Sequence, residues 1–396
     1  MPINKGMNFI NTSDLQVGQI FSEPVYSEGD NLLVPAHVPL RQKDIDILTT
    51  WNITSVRTLG VVVEDDDLEE LDDDIEFIQQ KPDAAKFSIN DVQQNSGPYR
   101  AYKNLIDKLD GAFVLFKSGD GLEMRAIDNI SVQLLQDLRE HPSSFVGFIL
   151  GGEISSQELA KSSVNTAILS ALTAQELRLP NHKIHNIVSG ALLHDIGMLR
   201  LSKGITEKKG GLSDAERDQI KSHPIHTSRI VTKELYGPRE VNLIALQHHE
   251  RWDGMGYPDR LTGEAIDIGA RIVSVADAFE AMVSKKSYRN SLVGYQAIKN
   301  LLADNARRFD PAVIIAFTKI IGIYPINSIV RLNNKAIGRI TDINTSAPMR
   351  PVIQLLVDEN GKTVASKTPV IINLLADKTT FIKEAIDTKD FFEQNA

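Results

Sequence analysis

The sequence contains no cysteine among its 396 residues. Disulfide bonds and thiolate metal sites are therefore excluded, and any bound metal must use histidine and carboxylate ligands. Long apolar runs are also missing. The longest, residues 311–326, is interrupted by Lys319 and is shorter than the roughly 20 apolar residues of a membrane-spanning helix. The first ten residues show no secretory pattern. These absences predict a cytoplasmic protein that does not contact a membrane.

Excess negative charge is confined to one short segment. The formal net charge is −9, and ten carboxylates lie within residues 64–76, EDDDLEELDDDIE. Without this run, acidic and basic side chains nearly balance, so a broad cationic surface for a nucleic-acid polymer is not expected. Like charges in a block repel one another, so the run is interpreted as a solvated linker. A calcium site is the alternative, but the glycine and ligand spacing of an EF-hand loop are missing.

The apolar pattern predicts several regions along the chain. Residues 1–63 combine short apolar runs with Pro and Gly turns and a short helix over Gln42–Trp51, which predicts a small α+β domain. Residues 64–98 form the acidic linker. From residue 99 the apolar positions follow a helical period, first in a helical lead-in over 99–151 and then in a larger helical domain over 152–320.

The C-terminal region, residues 321–396, changes pattern again. Four β-rich runs are separated by Asn and Gly turns, namely 328–332, 336–344, 351–357 and 370–374. This pattern predicts a small antiparallel sheet or barrel packed on the helical domain.

One apolar helix is predicted to end in a His-Asp pair. Residues 191–197 read ALLHDIG, so His194 and Asp195 follow a hydrophobic run that Gly197 is expected to stop. Burying an imidazole beside a carboxylate is unfavourable without a compensating group. A divalent cation would compensate, because imidazole and carboxylate are good ligands for Zn, Mn or Fe. A simple ion pair remains the alternative for this motif alone.

More histidines and acids follow in patterns that suggest the same site. His223 precedes a proline, and residues 248–258 read HHERWDGMGYP, in which a Gly-X-Gly-Tyr-Pro segment predicts a tight loop. Asp277 lies in an apolar helix, where a carboxylate needs a partner. A histidine taken alone is usually a structural residue, and that interpretation is kept for His37, His141, His182, His185 and His226.

Together these residues resemble the HD-GYP metal-dependent phosphohydrolases. The order and spacing of that family are matched by His194-Asp195, His223, His248-His249 and Asp277. Residues 248–258 resemble the signature of the branch, and the resemblance covers roughly residues 152–317. It implies a multidomain, mainly α protein whose all-helical HD-type core binds metal. The N-terminal α+β domain and the C-terminal antiparallel β region would flank this core.

The resemblance also implies roles for individual residues. Two or three divalent ions, Fe or Mn, would be bound, with Asp195 bridging two of them. The implied metal ligands are Glu158, His194, Asp195, His223, His248, His249 and Asp277. Glu158 matches a glutamate that adds a third metal in some members. His194 and Asp195 are the implied catalytic residues, and the implied substrate contacts are Tyr257, Lys286 and Arg289.

The activity implied is hydrolysis of cyclic di-GMP to linear pGpG, to GMP, or to both, by water that two metal ions activate. Cyclic di-GMP is therefore the expected small-molecule partner. The N-terminal domain resembles small domains that often precede HD-GYP modules, for which regulation, a homodimer contact or a protein partner is expected.

Two positions depart from the family pattern. Ser162 stands four residues after Glu158, where the family has a metal-binding histidine, and Met198 stands where the family has a lysine. Serine is a poor ligand for such ions, and methionine cannot offer positive charge to a phosphate. Lys286 also replaces an arginine, which keeps the charge but loses bidentate geometry.

Three functions are compatible with this pattern. The favoured one is an active phosphodiesterase, because seven of the family's eight ligands are kept. The alternative is a catalytically impaired cyclic di-GMP receptor or signalling scaffold, because both departures lie near the scissile phosphate. A phosphohydrolase for another nucleotide or phosphoester is disfavoured by the intact signature loop.

Overall fold

The computed structural model describes most of residues 8–63 and most of residues 96–386. Within the first range the gaps are residues 24, 28–30, 35–38 and most of 41–52. Within the second they are 151–156, 207, 209, 285–293, 305–306, 345–346 and 365–368. Most of the acidic linker predicted over residues 64–98, and most of the helix predicted over Gln42–Trp51, lie outside the described residues. The end of the predicted linker is wrong by two residues, because a helix already begins at Gly97.

The N-terminal region contains short antiparallel strands with a core of their own. The strands are β1 (Asn8–Asn11), β2 (Ile20–Phe21), β3 (Val25–Ser27), β4 (Asn31–Val34), β5 (Ser55–Thr58) and β6 (Val62–Val63). One sheet has the order β1-β5-β3-β4, and β2 pairs with β6. Phe21, Val25 and Val56 are almost completely buried between them. Alternating burial along β5 is typical of a sheet with one covered face.

Twelve helices form the middle of the described chain. They are α1 (Gly97–Ser118), α2 (Met124–Glu140), α3 (Pro142–Leu150), α4 (Glu158–Glu176), α5 (Asn181–Leu193), α6 (Lys203–Thr206), α7 (Asp214–Lys221), α8 (His223–Arg229), α9 (Arg239–Gln247), α10 (Ile268–Val283), α11 (Gly294–Ala303) and α12 (Pro311–Ile321). A π-helical turn, Ile230–Glu234, continues α8. No helix in the described part of the chain is long and apolar enough to cross a membrane.

Helix α4 is the centre of the helical core. It is buried nearly all round, and it packs against α5, α10, α12 and α1. A helix that is apolar or small on every face suits such an enclosed position. Several others begin with a sequence-encoded cap. Ser213 and Glu216 form a reciprocal capping box at the start of α7, and Asp310 caps α12. These caps fix where the two helices begin.

The C-terminal sheet is antiparallel and has five strands. They are β7 (Ile329–Leu332), β8 (Ile337–Asp342), β9 (Val352–Val357), β10 (Ile371–Asn373) and β11 (Ile382–Ile386), in the order β10-β9-β8-β7-β11. The sequence predicted the first four of these strands and missed β11. Tyr324, just before the sheet, stacks on Tyr295 of α11 at 5.4 Å between ring centroids. The sheet thus packs on the helices, and the predicted mainly α, multidomain fold class is confirmed.

Gly197 has a different role from the predicted one. Helix α5 ends at Leu193, and Gly197 lies within a 3-10 turn, Ile196–Arg200, without a positive φ. A Cβ atom at this position would lie 2.3 Å from the backbone oxygen of His223 and 2.7 Å from the backbone nitrogen of Thr227. The glycine therefore allows the turn and α8 to approach closely, and it does not cap a helix.

Candidate metal centre

Three buried histidines at the ends of helical turns are oriented by the same local hydrogen bond. The Nδ1 atom of His194 donates to the backbone oxygen of Ala191, three residues earlier, at 2.7 Å. His223 and His248 make the equivalent bonds at 2.7 and 3.0 Å. A carbonyl oxygen only accepts, so Nδ1 carries the proton in each ring. In the neutral imidazole, each Nε2 atom is therefore left with a free lone pair.

These lone pairs point at one another and at carboxylates. The Nε2 atoms of His223 and His248 lie 3.2 Å apart. Oδ1 of Asp195 is 3.0 Å from Nε2 of His223 and 3.9 Å from Nε2 of His248. His249 completes the group, and one ligand atom from each of these four residues lies within 4.8 Å of the others. Converging lone pairs and a carboxylate repel one another unless a cation lies between them.

His194 lies on the other side of Asp195. Its Nε2 atom is buried and has no hydrogen-bond partner among the described residues. It lies 3.5 Å from Oδ2 of Asp195 and 3.7 Å from Oδ1 of Asp277. Asp195 therefore faces His223 and His248 with one oxygen and His194 with the other, which is the geometry of a carboxylate that can bridge two cations.

The carboxylates of Asp195 and Asp277 are the part of the candidate metal centre that solvent reaches. The side chains of Asp195 and Asp277 are 26% and 21% exposed, whereas those of His194 and His248 are fully buried. Ligands approaching from solvent would therefore meet the carboxylates first.

The protonation of these groups follows from their surroundings. Burial alone would lower the pKa of His194, but the carboxylates of Asp195 and Asp277 outweigh it and raise this pKa to about 9. Burial, with the neighbouring His223, lowers the pKa of His249 to about 3. Burial would raise the pKa of Asp195, but the imidazoles of His194 and His223 hold it well below its usual range. The centre without metal therefore holds its proton at His194.

A buried glutamate fixes the signature loop against the centre. Glu250, directly after the paired histidines, accepts hydrogen bonds from the backbone nitrogens of Asp259 at 2.6 Å and Leu261 at 3.0 Å. A Cβ atom at Gly256 would lie 2.3 Å from the backbone nitrogen of Arg251, so only glycine allows the loop to fold back this closely. The ring of Tyr257 stacks on His249 at 4.9 Å. Glu250 was not identified from the sequence as a functional residue. Its position directly before a glycine-rich turn could have indicated that its carboxylate anchors the loop.

The neighbouring turns are also held together by a side chain that no sequence motif indicated. Thr227 on α8 donates from Oγ1 to the backbone oxygen of His194 at 3.0 Å and accepts from the backbone nitrogen of Gly197 at 3.0 Å. It thereby connects the elements that carry His194 and His223.

Ser162, which stands where the family has a histidine, belongs to a buried polar cluster. It donates to Oε2 of Glu280 at 2.7 Å. Asn165 and Ser284 donate to Oε1 of the same carboxylate at 3.2 and 2.5 Å, and Tyr102 donates to Asn165 at 2.8 Å. The Ser162 hydroxyl is therefore already engaged on α10, one helical turn beyond Asp277. This cluster was not predicted, because its members are far apart in the sequence.

The remaining predicted site residues are less closely connected. Glu158 begins α4 and is half-buried, and it is not part of the ligand group found among the described residues. Met198 is half-buried in the 3-10 turn after Asp195. Lys286 and Arg289 lie outside the described residues, so their predicted substrate contacts stay predictions.

A divalent metal fits the donor set that the structure brings together. Three imidazoles oriented with Nε2 toward the centre, a fourth imidazole and two partly open carboxylates match the ligands that Zn, Mn and Fe prefer. Each of three imidazoles is oriented by a backbone carbonyl through its second nitrogen, as is usual for metal-binding histidines. The compatibility with a metal therefore rests on the orientation of the ligand atoms as well as on residue types.

Comparisons with known proteins agree with this centre. The HD domain family matches residues 153–313, and the KOW domain associated with HD domains matches residues 329–394. The cyclic di-GMP phosphodiesterase PdeB of Borreliella burgdorferi is 34% identical over 228 residues, 58% of this chain and 60% of that protein. A cyclic di-GMP phosphodiesterase of Pseudomonas aeruginosa is 30% identical over 240 residues, 60% of this chain and 56% of that protein.

Among solved structures, an HD-GYP-type protein of Bdellovibrio bacteriovorus, Bd1817, aligns with a TM-score of 0.42 at 17% identity, over 79% of this chain and 99% of that one. The matched region spans less than two thirds of the length of both curated relatives. The match to the HD domain family covers every residue of the candidate centre from His194 to Asp277. Residues 153–313 of this chain therefore match the HD domain family, and the chain is similar to cyclic di-GMP phosphodiesterases, in agreement with its sequence motifs.

Proposed function

We propose that this protein is a metal-dependent phosphodiesterase that hydrolyses cyclic di-GMP to linear pGpG, to GMP, or to both. The observation that carries the proposal is the convergence of Asp195 with the Nε2 atoms of His223 and His248 in a partly open group. The curated relatives described above are named as cyclic di-GMP phosphodiesterases, which supports the same reaction and substrate.

Two sites would share Asp195. His223, His248 and His249 would hold one divalent ion, and His194 and Asp277 the other, with Glu158 as the candidate ligand for a third. Divalent ions held there would polarise a phosphate oxygen and activate water for in-line attack. Fe and Mn are the ions expected.

The residues of the chain have separate tasks in this proposal. Asp195 would take part in holding both ions, because its two oxygens face different histidines. Tyr257, fixed by its stack on His249 and by the anchored loop, would border the bound dinucleotide, with Lys286 and Arg289 as further contacts. His194, which holds a proton in the metal-free protein, must lose it before it can act as a ligand.

The second candidate function is that of a catalytically impaired receptor or signalling scaffold, which binds cyclic di-GMP without hydrolysing it. Its supporting observation is that Ser162, which replaces the family's metal-binding histidine, donates its hydroxyl to Glu280 on α10. A receptor would still hold metal through the histidines and bind cyclic di-GMP. A cytoplasmic location and a regulatory or dimer role for the N-terminal domain are parts of both proposals.

Turnover by the purified protein tests the two proposals. Manganese or iron is supplied anaerobically, and the products from cyclic di-GMP are separated by chromatography. An enzyme gives pGpG or GMP, and Asp195→Ala abolishes both products. Binding without product supports the receptor, and absence of both contradicts the proposed substrate.

A matched pair of histidines controls for loss of metal. His223 and His226 lie three residues apart on α8, and only His223 belongs to the ligand group found among the described residues. His223→Ala is expected to lose both bound metal and turnover, whereas His226→Ala is expected to keep both. Equal metal content in the two variants would contradict the assignment of His223 as a ligand.

A further inference from the structure

We propose that Arg308 binds a phosphate group of the substrate on the His249–Tyr257 side of the metal centre. Arg308 lies between α11 and α12, outside the motifs recognised in the sequence. The inference rests on the proposed function. Arg308 would supply a positive charge for binding phosphate, which none of the described motif residues supplies.

The backbone of this segment is bound directly to the signature loop. The backbone nitrogen of Trp252 donates to the carbonyl oxygen of Arg308 at 3.0 Å, and that of Asp253 donates to the carbonyl oxygen of Arg307 at 2.9 Å. Trp252 and Asp253 follow the paired histidines within the same loop. Arg308 is therefore held at a fixed position relative to the loop that carries Tyr257.

Arg308 carries a charge that no nearby acid in the described part of the chain neutralises. Its guanidinium lies 5.0 Å from the ring centroid of Phe309, and no carboxylate among the described residues is within ion-pair distance. Other arginines close to the centre are paired: Arg251 with Asp253 at 2.7 Å and Arg271 with Asp310 at 2.8 Å. A half-buried arginine in this setting is available to an anionic ligand.

The signature loop connects the segment of Arg308 to the stacked pair at the centre. The backbone nitrogen of Tyr257 donates to the carbonyl oxygen of His249 at 3.2 Å, and the two rings stack at 4.9 Å. Trp252, whose backbone nitrogen donates to Arg308, follows His249 by three residues. These backbone contacts place Arg308 on the His249–Tyr257 side of the centre.

A cyclic dinucleotide offers two anionic groups, one of which such a cation could bind. It carries two phosphate groups, and metal ions held by the histidines would neutralise the one that reacts. Met198 stands where the family has a lysine, and it supplies no charge for the other phosphate. An arginine can pair with two phosphate oxygens at once, which a point charge cannot do.

Three variants test the proposal: Arg308→Gln, Arg308→Lys and the control Arg307→Gln, which removes an exposed neighbouring charge. Binding of a hydrolysis-resistant phosphorothioate analogue of cyclic di-GMP to manganese-loaded protein is measured by calorimetry, with manganese content measured separately. We expect Arg308→Gln to weaken binding about tenfold or more at unchanged manganese content. Arg308→Lys should fall between Arg308→Gln and the wild type, and Arg307→Gln should stay within about twofold of the wild type.

Inorganic phosphate is a second probe, which separates this inference from the proposed substrate. If the wild type does not bind the analogue, the proposed function fails, and Arg308 is then tested by phosphate affinity alone. Weaker phosphate binding by Arg308→Gln than by Arg307→Gln, at equal manganese content, supports the inference in either case. Equal affinities in these two variants, or no phosphate binding by the wild type, overturn it.

Discussion

At the scale of single residues, the position of the proton decides what the centre can bind. His194, His223 and His248 each donate from Nδ1 to a backbone oxygen three residues earlier, so their Nε2 atoms face the centre. Metal binding requires these nitrogens to be unprotonated. His249 meets this requirement at neutral pH because its pKa is about 3, whereas His194, with a pKa of about 9, does not.

Metal binding is therefore expected to release a proton from His194. The metal-free folded protein keeps this proton below about pH 9, and the metal must displace it, so apparent affinity rises with pH up to that value. At about pH 7.5 manganese binding should release about one proton, and affinity should be about tenfold weaker at about pH 7 than at about pH 8. Calorimetry in buffers with different ionisation enthalpies measures the release. His194→Asn should remove it, and a wild type that releases no proton under these conditions would contradict the assignment.

Ser162 offers a test of the departure from the family pattern. In Ser162→His, the new imidazole could donate to Glu280 through one nitrogen, as Ser162 does now, and offer the other to a metal. Metal affinity at the site of His194 and Asp277, measured by manganese titration, is expected to rise roughly tenfold or more.

Ser162→Ala is the control for that substitution. It removes the hydrogen bond to Glu280 without adding a ligand, which costs about 1–3 kcal/mol of stability because a buried acceptor loses its donor. Metal affinity should then be unchanged. A rise in affinity in the alanine variant as well would show that relief of packing, and not an added ligand, is responsible.

At the scale of secondary-structure elements, close approach between the 3-10 turn and α8 positions His194 and His223. The approach depends on Gly197, which has no room for a Cβ atom, and on Thr227, which bonds both sides. Gly197→Ala is expected to lower the free energy of unfolding by about 1–3 kcal/mol through overpacking and to weaken metal binding as the turns separate. Chemical denaturation and metal titration measure the two effects.

Gly111 provides a contrasting glycine. It lies exposed within α1, and an added methyl group would have no atom within 4 Å apart from its chain neighbours and the nearby backbone of its own helix. Gly111→Ala should therefore stabilise the protein by about 0.5–1 kcal/mol through helix propensity. Equal changes in the free energy of unfolding for the two substitutions would contradict the steric role assigned to Gly197.

At the scale of the whole molecule, the described residues form three separate apolar clusters. We therefore expect metal binding to change the thermal stability of one region more than that of the others. The described N-terminal strands, the helices and the C-terminal sheet each have their own cluster, and the ligand group lies in the helical region. Manganese at about 100 times its Kd should stabilise the unit that binds it by about 2.7 kcal/mol, which corresponds to a rise of roughly 5–10 °C in its midpoint.

Differential scanning calorimetry with and without manganese tests this prediction. The transition of the helical core should move, while that of the N-terminal domain should stay. Asp195→Ala should remove the shift. A uniform shift of every transition, or a shift that persists in the variant, would contradict a metal site confined to the helices.

Sequence patterns were sufficient to predict those features of this protein that depend on residues close together in the chain. Helical periodicity located most of the helices but not α3, α6 and α12, and β-rich runs located β7 to β10. The motifs from His194 to Asp277 indicated the resemblance to the HD-GYP proteins, and the HD domain family matches this region. β11 was missed because the alternation in Ile382–Ile386 is short and polar, and only pairing with β7 makes it a strand. Gly197 was misassigned because its constraint comes from α8, a separate helix further along the chain.

The sequence by itself determined which chemistry is available. With no cysteine, the expected metal ligands are imidazoles and carboxylates, and their spacing indicated the resemblance to the HD-GYP phosphohydrolases. The tertiary structure decided how those groups are used. It turned the histidine nitrogens toward one centre, shared Asp195 between two sides, directed Ser162 to Glu280 and brought Arg308 to the signature loop. These are contacts between residues distant in the chain, and their distances and desolvation are fixed only when the helices pack.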